Sequence, residues 1–145
     1  MKKTLWAIGL VGMGLALGFW LGRGTPSEAA SPAAANRVFE MRTYYTNEGK
    51  LPDLQARFRN HTTKLFEKHG MKNVGYWVPQ DAPASANTLI YIISHESRDA
   101  AKKSWDAFRN DPQWKDVAKA SEANGKIVSK VESVYMDPTD YSRIK

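Results

Sequence analysis

The sequence predicts an α+β fold in which a four-stranded antiparallel sheet carries helices on one face. Three observations lead to this prediction. Segments with the two-residue alternation of strands are interspersed with segments in which apolar residues have helical spacing. Their order along the chain is strand, helix, strand, strand, helix, strand. The third strand is apolar at the consecutive positions 89–93, which predicts that both faces of the sheet are covered.

The N-terminal residues have the composition of a targeting segment and are set apart from the fold. Two lysines precede residues 5–22, which form an uncharged and mostly apolar run. We predict that residues 1–24 are a signal peptide or an N-terminal membrane anchor, followed by a Pro/Ala/Ser-rich tether over residues 25–36. The apolar run exceeds the ~7–15 residues of a usual signal core, which favours the anchor.

This N-terminal segment predicts that the folded domain lies outside the cytoplasm. Lysines next to a membrane span tend to remain on the cytoplasmic side, which places Lys2 and Lys3 inside and the domain outside. We therefore expect a location in the periplasm or at the cell exterior, with residues 5–22 anchored in the inner membrane. Small residues suited to cleavage at 27–29 and 33–35 leave secretion after cleavage open.

Composition argues against several kinds of partner. The net charge is +6, but from residue 37 onward no positive run is longer than Lys102-Lys103, so we expect no nucleic-acid surface. The chain has no cysteine, so no disulfide supports an exported domain, which must rely on its core or on a partner subunit. The three histidines lie too far apart to share a metal ion, and no metal site is expected.

The first predicted strand, residues 37–46, carries two opposite charges on one face. It is rich in β-branched and aromatic residues, and its alternation places Glu40 and Arg42 on the same side. On a central strand these charges need partners, because an unpaired buried charge is very costly. We predict that they pair with each other or with Lys130 or Glu132 on the fourth strand.

Capping and chain-breaking residues define the other elements. A helix over residues 51–69 has a proline in its first turn and ends before a glycine. Its apolar spacing predicts an inward face made of Leu51, Leu54, Phe58, His61 and Leu65.

Two strands, over residues 73–78 and 88–94, follow this helix. Ser97 then caps a second helix, and Asp111 caps a further helix that begins with Pro112. The last strand covers residues 126–136.

Together these elements give a ferredoxin-like βαββαβ plan, in which the first and third strands are central. One sheet face has no helices in this plan. Because a bare apolar face of that size is unusual in a monomer, we predict a two-fold homodimer.

Several segments in combination resemble one protein family. They are Phe39-Glu40-Met41-Arg42-Thr43-Tyr44, Lys68-His69-Gly70, Gly75-Tyr76-Trp77, the W-x-x-F-x-x-D-P-x-W pattern from Trp105 to Trp114, and Asp137-Pro138-Thr139-Asp140-Tyr141-Ser142. The chain resembles the NIPSNAP family over residues 38–142, which makes residues 37–145 a NIPSNAP-like domain. The resemblance implies a dimeric α+β barrel, in which two ferredoxin-like subunits pack sheet against sheet. Its wider superfamily includes cofactor-free monooxygenases and haem-degrading enzymes, whereas the NIPSNAP branch has no established reaction.

The predicted ligand site is a small apolar pocket between helices and sheet, the usual ligand position in the superfamily that the chain resembles. Its candidate residues are Glu40, Arg42, Tyr44, Phe58, His61, Tyr76, Trp105 and Trp114. Arg42 would hold an anionic group of a ligand, and Glu40 would orient Arg42. Aromatic residues at helical spacing more often belong to an ordinary core than to a ligand site, so a small apolar or anionic ligand is a hypothesis.

Two functions follow from these observations. The first is a membrane-tethered homodimer without catalytic activity or cofactor, which binds a small ligand or a partner protein. The second is a monooxygenase-like enzyme, cofactor-free or haem-dependent, in which His61 acts as base or haem ligand. No G-x-S-x-G motif and no Gly-rich phosphate loop occurs in the sequence, and we favour the first function.

Overall fold

A computed structural model describes residues 37–145, so the predictions for residues 1–24 and 25–36 fall outside the described residues. Its elements are β1 (Val38–Thr46), α1 (Leu51–Arg57), a π-helical turn (Phe58–Thr62), α2 (Thr63–Lys68), β2 (Lys72–Trp77), a 3-10 turn (Ala84–Ala86), β3 (Thr88–His95), α3 (Arg98–Asn110), α4 (Pro112–Ser121) and β4 (Val128–Met136). Among residues 37–145 there is no helix with the length and apolar character that a membrane crossing needs.

The four strands form one antiparallel sheet in the order β2-β3-β1-β4. The first and third strands are therefore the central pair, and the ferredoxin-like plan predicted from the sequence is confirmed. Both predicted caps are also present. The Ser97 side chain accepts a hydrogen bond from the backbone N–H of Ala100, and the Asp111 side chain accepts one from that of Gln113.

The helices cover one face of this sheet, which we call the covered face. From β3 it receives Leu89, Tyr91 and Ile93, each at most 4% exposed. Aromatic rings join the sheet to the helices, with the centroids of Phe58 and Tyr91 5.1 Å apart and those of Phe66 and Trp105 5.4 Å apart. Burial of these large rings supplies much of the apolar area that holds a small domain together.

The opposite face of the sheet, which we call the open face, is only partly buried and has an apolar centre beside two charged residues of β4. Residues directly opposite each other on antiparallel strands share a face, so Met41 lies beside Ile92 and Val134, and Thr43 lies beside Ile90. Val134 is 51% exposed. The sequence predicted that both faces of the third strand are covered. Within residues 37–145 only the helical side is fully covered.

The π-helical turn corrects one sequence prediction. His61 was expected on the inward face of the first helix, but it is exposed, and Thr62 takes the buried position. The backbone N–H of Thr63 bonds to the carbonyl of Phe58, five residues back, so this turn holds one residue more than an α-helical turn. The extra residue changes the phase of the helix and rotates His61 away from the sheet.

Candidate functional site

The carboxylate of Glu40 is the most elaborately bonded polar group on the covered face. It is 1% exposed and lies within hydrogen-bond distance of four side chains. Arg42 Nη1 and Ser133 Oγ donate to Oε1, both at 2.7 Å. Trp105 Nε1 donates to Oε2 at 2.7 Å, and His95 Nε2 lies 3.1 Å from the same oxygen.

These donors decide the charge of Glu40. Burial on its own raises the pKa of the carboxyl, but the hydrogen bonds from His95, Ser133 and Trp105 and the positive charge of Arg42 outweigh it. The net effect lowers the pKa of Glu40 from 4.5 to about 2. The carboxylate is therefore ionised at neutral pH although it is almost fully removed from solvent.

Strand register explains which residues reach Glu40. Arg42 lies directly opposite Ser133, so both side chains point to the covered face. The alternative prediction, that Glu40 and Arg42 pair with Lys130 or Glu132, is wrong. Lys130 and Glu132 alternate with Ser133 along β4, so their side chains point to the other side of the sheet. These two residues pair with each other at 2.6 Å.

Glu40 fixes Arg42 in a defined position beside an aromatic ring. The guanidinium carbon of Arg42 lies 4.3 Å from the ring centroid of Trp105. The side chain is 18% exposed, and only its Nη1 group donates a hydrogen bond within residues 37–145. Its Nε atom is buried and has no hydrogen-bond partner among residues 37–145. Arg42 therefore presents a fixed cationic donor to its surroundings.

A cleft of about 440 Å³ opens above these groups, between α3 and the strands β1 and β4, and we call it the α3 cleft. It is lined by Glu40, Arg42, Arg98, Asp99, Lys102, Trp105, Arg109, Ser133 and Tyr135. Its lining is mostly polar and charged, so the apolar pocket predicted from the sequence is replaced here by a polar one. Such a cleft suits a ligand with charged groups.

The structure separates the predicted site residues. Glu40, Arg42 and Trp105 share the α3 cleft. Tyr44 and Trp114 instead pack at the edge of the hydrophobic core.

Phe58 and Tyr76 contact each other with ring centroids 5.7 Å apart and line a second cleft of about 250 Å³ beside Trp77. His61 lines a third cleft of about 570 Å³, between α1 and α4. No residue lining that third cleft also lines the α3 cleft. His61 and Arg42 therefore face different cavities.

Sequence reasoning missed His95 and Ser133 as partners of Glu40. They lie 55 and 93 residues away along the chain, and only the register of the sheet brings them together. Sequence reasoning also missed the positive side chains of α3, although their spacing in the sequence indicated them. Arg98, Lys102 and Arg109 recur at spacings of four and seven residues, which places them on one side of a helix.

A second polar cluster connects the helices away from the α3 cleft. Lys68 Nζ and His69 Nε2 each lie 2.7 Å from Oδ2 of Asp111, while Oδ1 accepts a hydrogen bond from the backbone of Gln113. Hydrogen bonds from Lys68 and His69, stronger here than the opposing effect of burial, hold the pKa of Asp111 well below its usual range. This cluster joins the end of α2 to the junction of α3 and α4. Across residues 37–145, no group of three or more acidic, histidine or cysteine side chains is arranged to hold a metal ion.

Comparison with solved structures finds the same fold in bacterial proteins. A NIPSNAP family protein of unknown function from Agrobacterium tumefaciens is 20% identical, with a TM-score of 0.66, covering 77% of this chain and 96% of that one. An uncharacterised NIPSNAP-like domain protein from Burkholderia xenovorans is 12% identical, with a TM-score of 0.64, covering 74% of this chain and 90% of that one. A monooxygenase of Streptomyces coelicolor, solved with nanaomycin D, is 14% identical, with a TM-score of 0.54, covering 74% and 92%. At these identities the likeness shows the fold alone.

Comparison at the level of sequence identifies the family. No curated protein matches the chain. The NIPSNAP family model matches residues 39–143, which include β1, β4 and the whole of the α3 cleft. The chain belongs to the NIPSNAP family.

Proposed function

We propose that this protein is an exported, membrane-tethered homodimer that binds a small anionic ligand in the α3 cleft. One observation carries the ligand-binding part. A buried, ionised Glu40 holds Arg42 in place, and Arg42 keeps donor capacity that no other group of residues 37–145 uses.

A purely structural ion pair would not need this arrangement. Buried ion pairs add little net stability, because desolvation of both charges offsets much of their attraction. Replacement by apolar side chains of similar size would fill the same space at no greater cost. A carboxylate with four partners and a partly exposed guanidinium is instead what a preorganised anion-binding group requires.

The ligand proposal is tested by what the protein carries when it is purified. Full-length protein and its Arg42→Gln variant would be purified in mild detergent and denatured, and the released small molecules compared by mass spectrometry. We expect an anionic molecule that accompanies the wild type and is depleted in the variant. Identical small-molecule profiles would contradict a ligand held by Arg42.

The open face supports the homodimer. Ile90, Ile92, Met41 and Val134 form an apolar surface, and exposed patches of this kind usually mark an interaction site. The same face of a second subunit, related by a two-fold axis, would cover these apolar side chains. The N-terminal part of the proposal rests on the sequence of residues 1–36.

Two substitutions on one strand test the dimer separately from the tether. Val134 lies on the open face, whereas Val131 lies opposite Tyr44 on the covered side, and the two are 51% and 40% exposed. Light scattering of full-length protein in detergent should give a dimer for the wild type and for Val131→Glu, but a monomer for Val134→Glu. Equal behaviour of the two variants would rule out the open face as the interface.

The position of His61 counts against the monooxygenase-like alternative. His61, its proposed base or haem ligand, lies in a different cleft from Arg42 and cannot act with it on one substrate. Haem absorbance in the purified protein that disappears in His61→Ala would restore that alternative.

A further inference from the structure

The outer wall of the α3 cleft is a row of positive side chains along one side of α3. Arg98, Lys102 and Arg109 all line the cleft, and Trp105 lies in the same row. At 100° per residue these positions fall within a narrow arc of the helix, and the eleven steps from Arg98 to Arg109 extend over about 16 Å. The positive charge is therefore spread along the cleft and not gathered at one point.

The charge balance of the cleft is positive even after its internal pairs are considered. Glu40 is already engaged by its four donors and offers no free negative charge. Within residues 37–145, Lys102 takes part in no ion pair, while Arg109 pairs with Asp106. Arg98 lies over the ring of Tyr135, 3.4 Å from its centroid, which fixes its direction. Asp99 is the one further carboxylate in the lining.

We propose that the α3 cleft binds a small polyanion with two or more separated phosphate or carboxylate groups. One group bonds to Arg42 at the floor, and another is held by Lys102 and Arg98 at the wall. This inference rests on the proposed ligand-binding function and names its ligand class. A single small anion would meet only part of the row, whereas a polyanion meets both the floor and the wall of a cleft of about 440 Å³.

A pair of adjacent lysines gives a matched test. Lys102 lines the cleft, and its neighbour Lys103 does not, although both are exposed and both substitutions remove one positive charge. Full-length protein in a neutral detergent would be titrated calorimetrically with tripolyphosphate, orthophosphate and citrate. We expect Lys102→Ala to weaken tripolyphosphate binding by about tenfold and Lys103→Ala by less than about twofold. Orthophosphate should bind at least about tenfold more weakly than tripolyphosphate, since it meets fewer cations.

Several outcomes would overturn the inference. Equal losses of tripolyphosphate affinity in the two lysine variants would mean that the overall positive charge of the protein attracts the anion and that the α3 cleft is not a specific site. Binding of phosphatidylglycerol vesicles that is lost in Lys102→Ala, with no tripolyphosphate or citrate binding, would assign the row to a membrane surface.

The result also separates this inference from the function on which it rests. If a co-purifying molecule depends on Arg42 but is neutral or singly charged, and Lys102→Ala retains it, the polyanion is wrong and the ligand-binding site stands. If no molecule depends on Arg42 and no anion binds, both are wrong.

Discussion

The two faces of the sheet each carry some side chains of the polarity that is usual for the other face. The covered face, under the helices, contains the ionised Glu40 and its partner Arg42. The open face of the same strand contains Met41 and Thr43, and it continues across β4 to Val134, which is 51% exposed. A sheet with one solvated face ordinarily alternates apolar residues towards the core with polar residues towards water, so the buried ion pair and the exposed apolar side chains both depart from that pattern.

This difference indicates two separate tasks. A charge is placed under helices where a fixed geometry is needed, because packing and hydrogen bonds there hold it still. An apolar face stays uncovered by its own chain where another surface covers it. We therefore propose that the covered side binds the ligand and that the open side makes the subunit contact.

The largest effect is expected from removing the buried carboxylate. Glu40→Ala leaves Arg42 without its ion pair and removes the acceptor of Trp105 and Ser133. Loss of one partner of a buried pair costs about 3–5 kcal/mol of unfolding free energy. Urea denaturation followed by far-UV circular dichroism measures this change.

Asp106→Ala provides the control from an exposed ion pair outside the sheet. Asp106 is 54% exposed and pairs with Arg109 at the surface of α3, so its loss should change the unfolding free energy by less than about 0.5 kcal/mol. Similar losses of unfolding free energy in the two variants would show that the Glu40 carboxylate stabilises the fold no more than an exposed carboxylate does.

Acid stability sharpens the same comparison. The pKa of Glu40 is lower in the folded protein than its ordinary value of 4.5, so its contribution is complete above pH 4.5 and is lost as the pH falls towards 2. A shift of this size corresponds to about 3 kcal/mol at most. Glu40→Gln should therefore flatten the fall of unfolding free energy between pH 5 and pH 2, with Asp111 accounting for a remaining slope. An unchanged slope would mean that Glu40 titrates normally.

A smaller effect is expected at a glycine of the open face. A Cβ atom at Gly75 would lie 2.5 Å from Cη2 of Trp77, whose indole crosses the glycine. Gly75→Ala must displace this indole, with an expected loss of about 1–2 kcal/mol and weaker dimerisation. Light scattering across a dilution series measures the dimer. A dimer as stable as the wild type would show that the position of Trp77 is irrelevant to the interface.

Local sequence signals predicted much of the fold. The alternation of β1 correctly placed Glu40 and Arg42 together, and the order of the elements identified β3 as a central strand. Ser97 and Asp111 were recognised as caps because their side chains act within a few residues of chain. These features depend on neighbours in sequence, which is why the sequence reveals them.

The site depended on features that sequence spacing does not contain. One residue of register decides whether Ser133 or Glu132 faces Glu40, and alternation alone leaves both open. The π-helical turn adds one residue to the helix at His61, so a prediction that assumes uniform helical spacing places this residue on the wrong face. His95 and Trp105 reach Glu40 from 55 and 65 residues away, so only the folded chain shows them as partners.

The most direct test of the two-task account is the affinity of a monomer for the ligand probe. Tripolyphosphate would be titrated into full-length Val134→Glu and into the wild type under identical conditions. Since Val134 lies on the open face and the α3 cleft on the covered side, the two dissociation constants should agree within about twofold. A monomer that binds at least about tenfold more weakly would contradict the separation of the two faces.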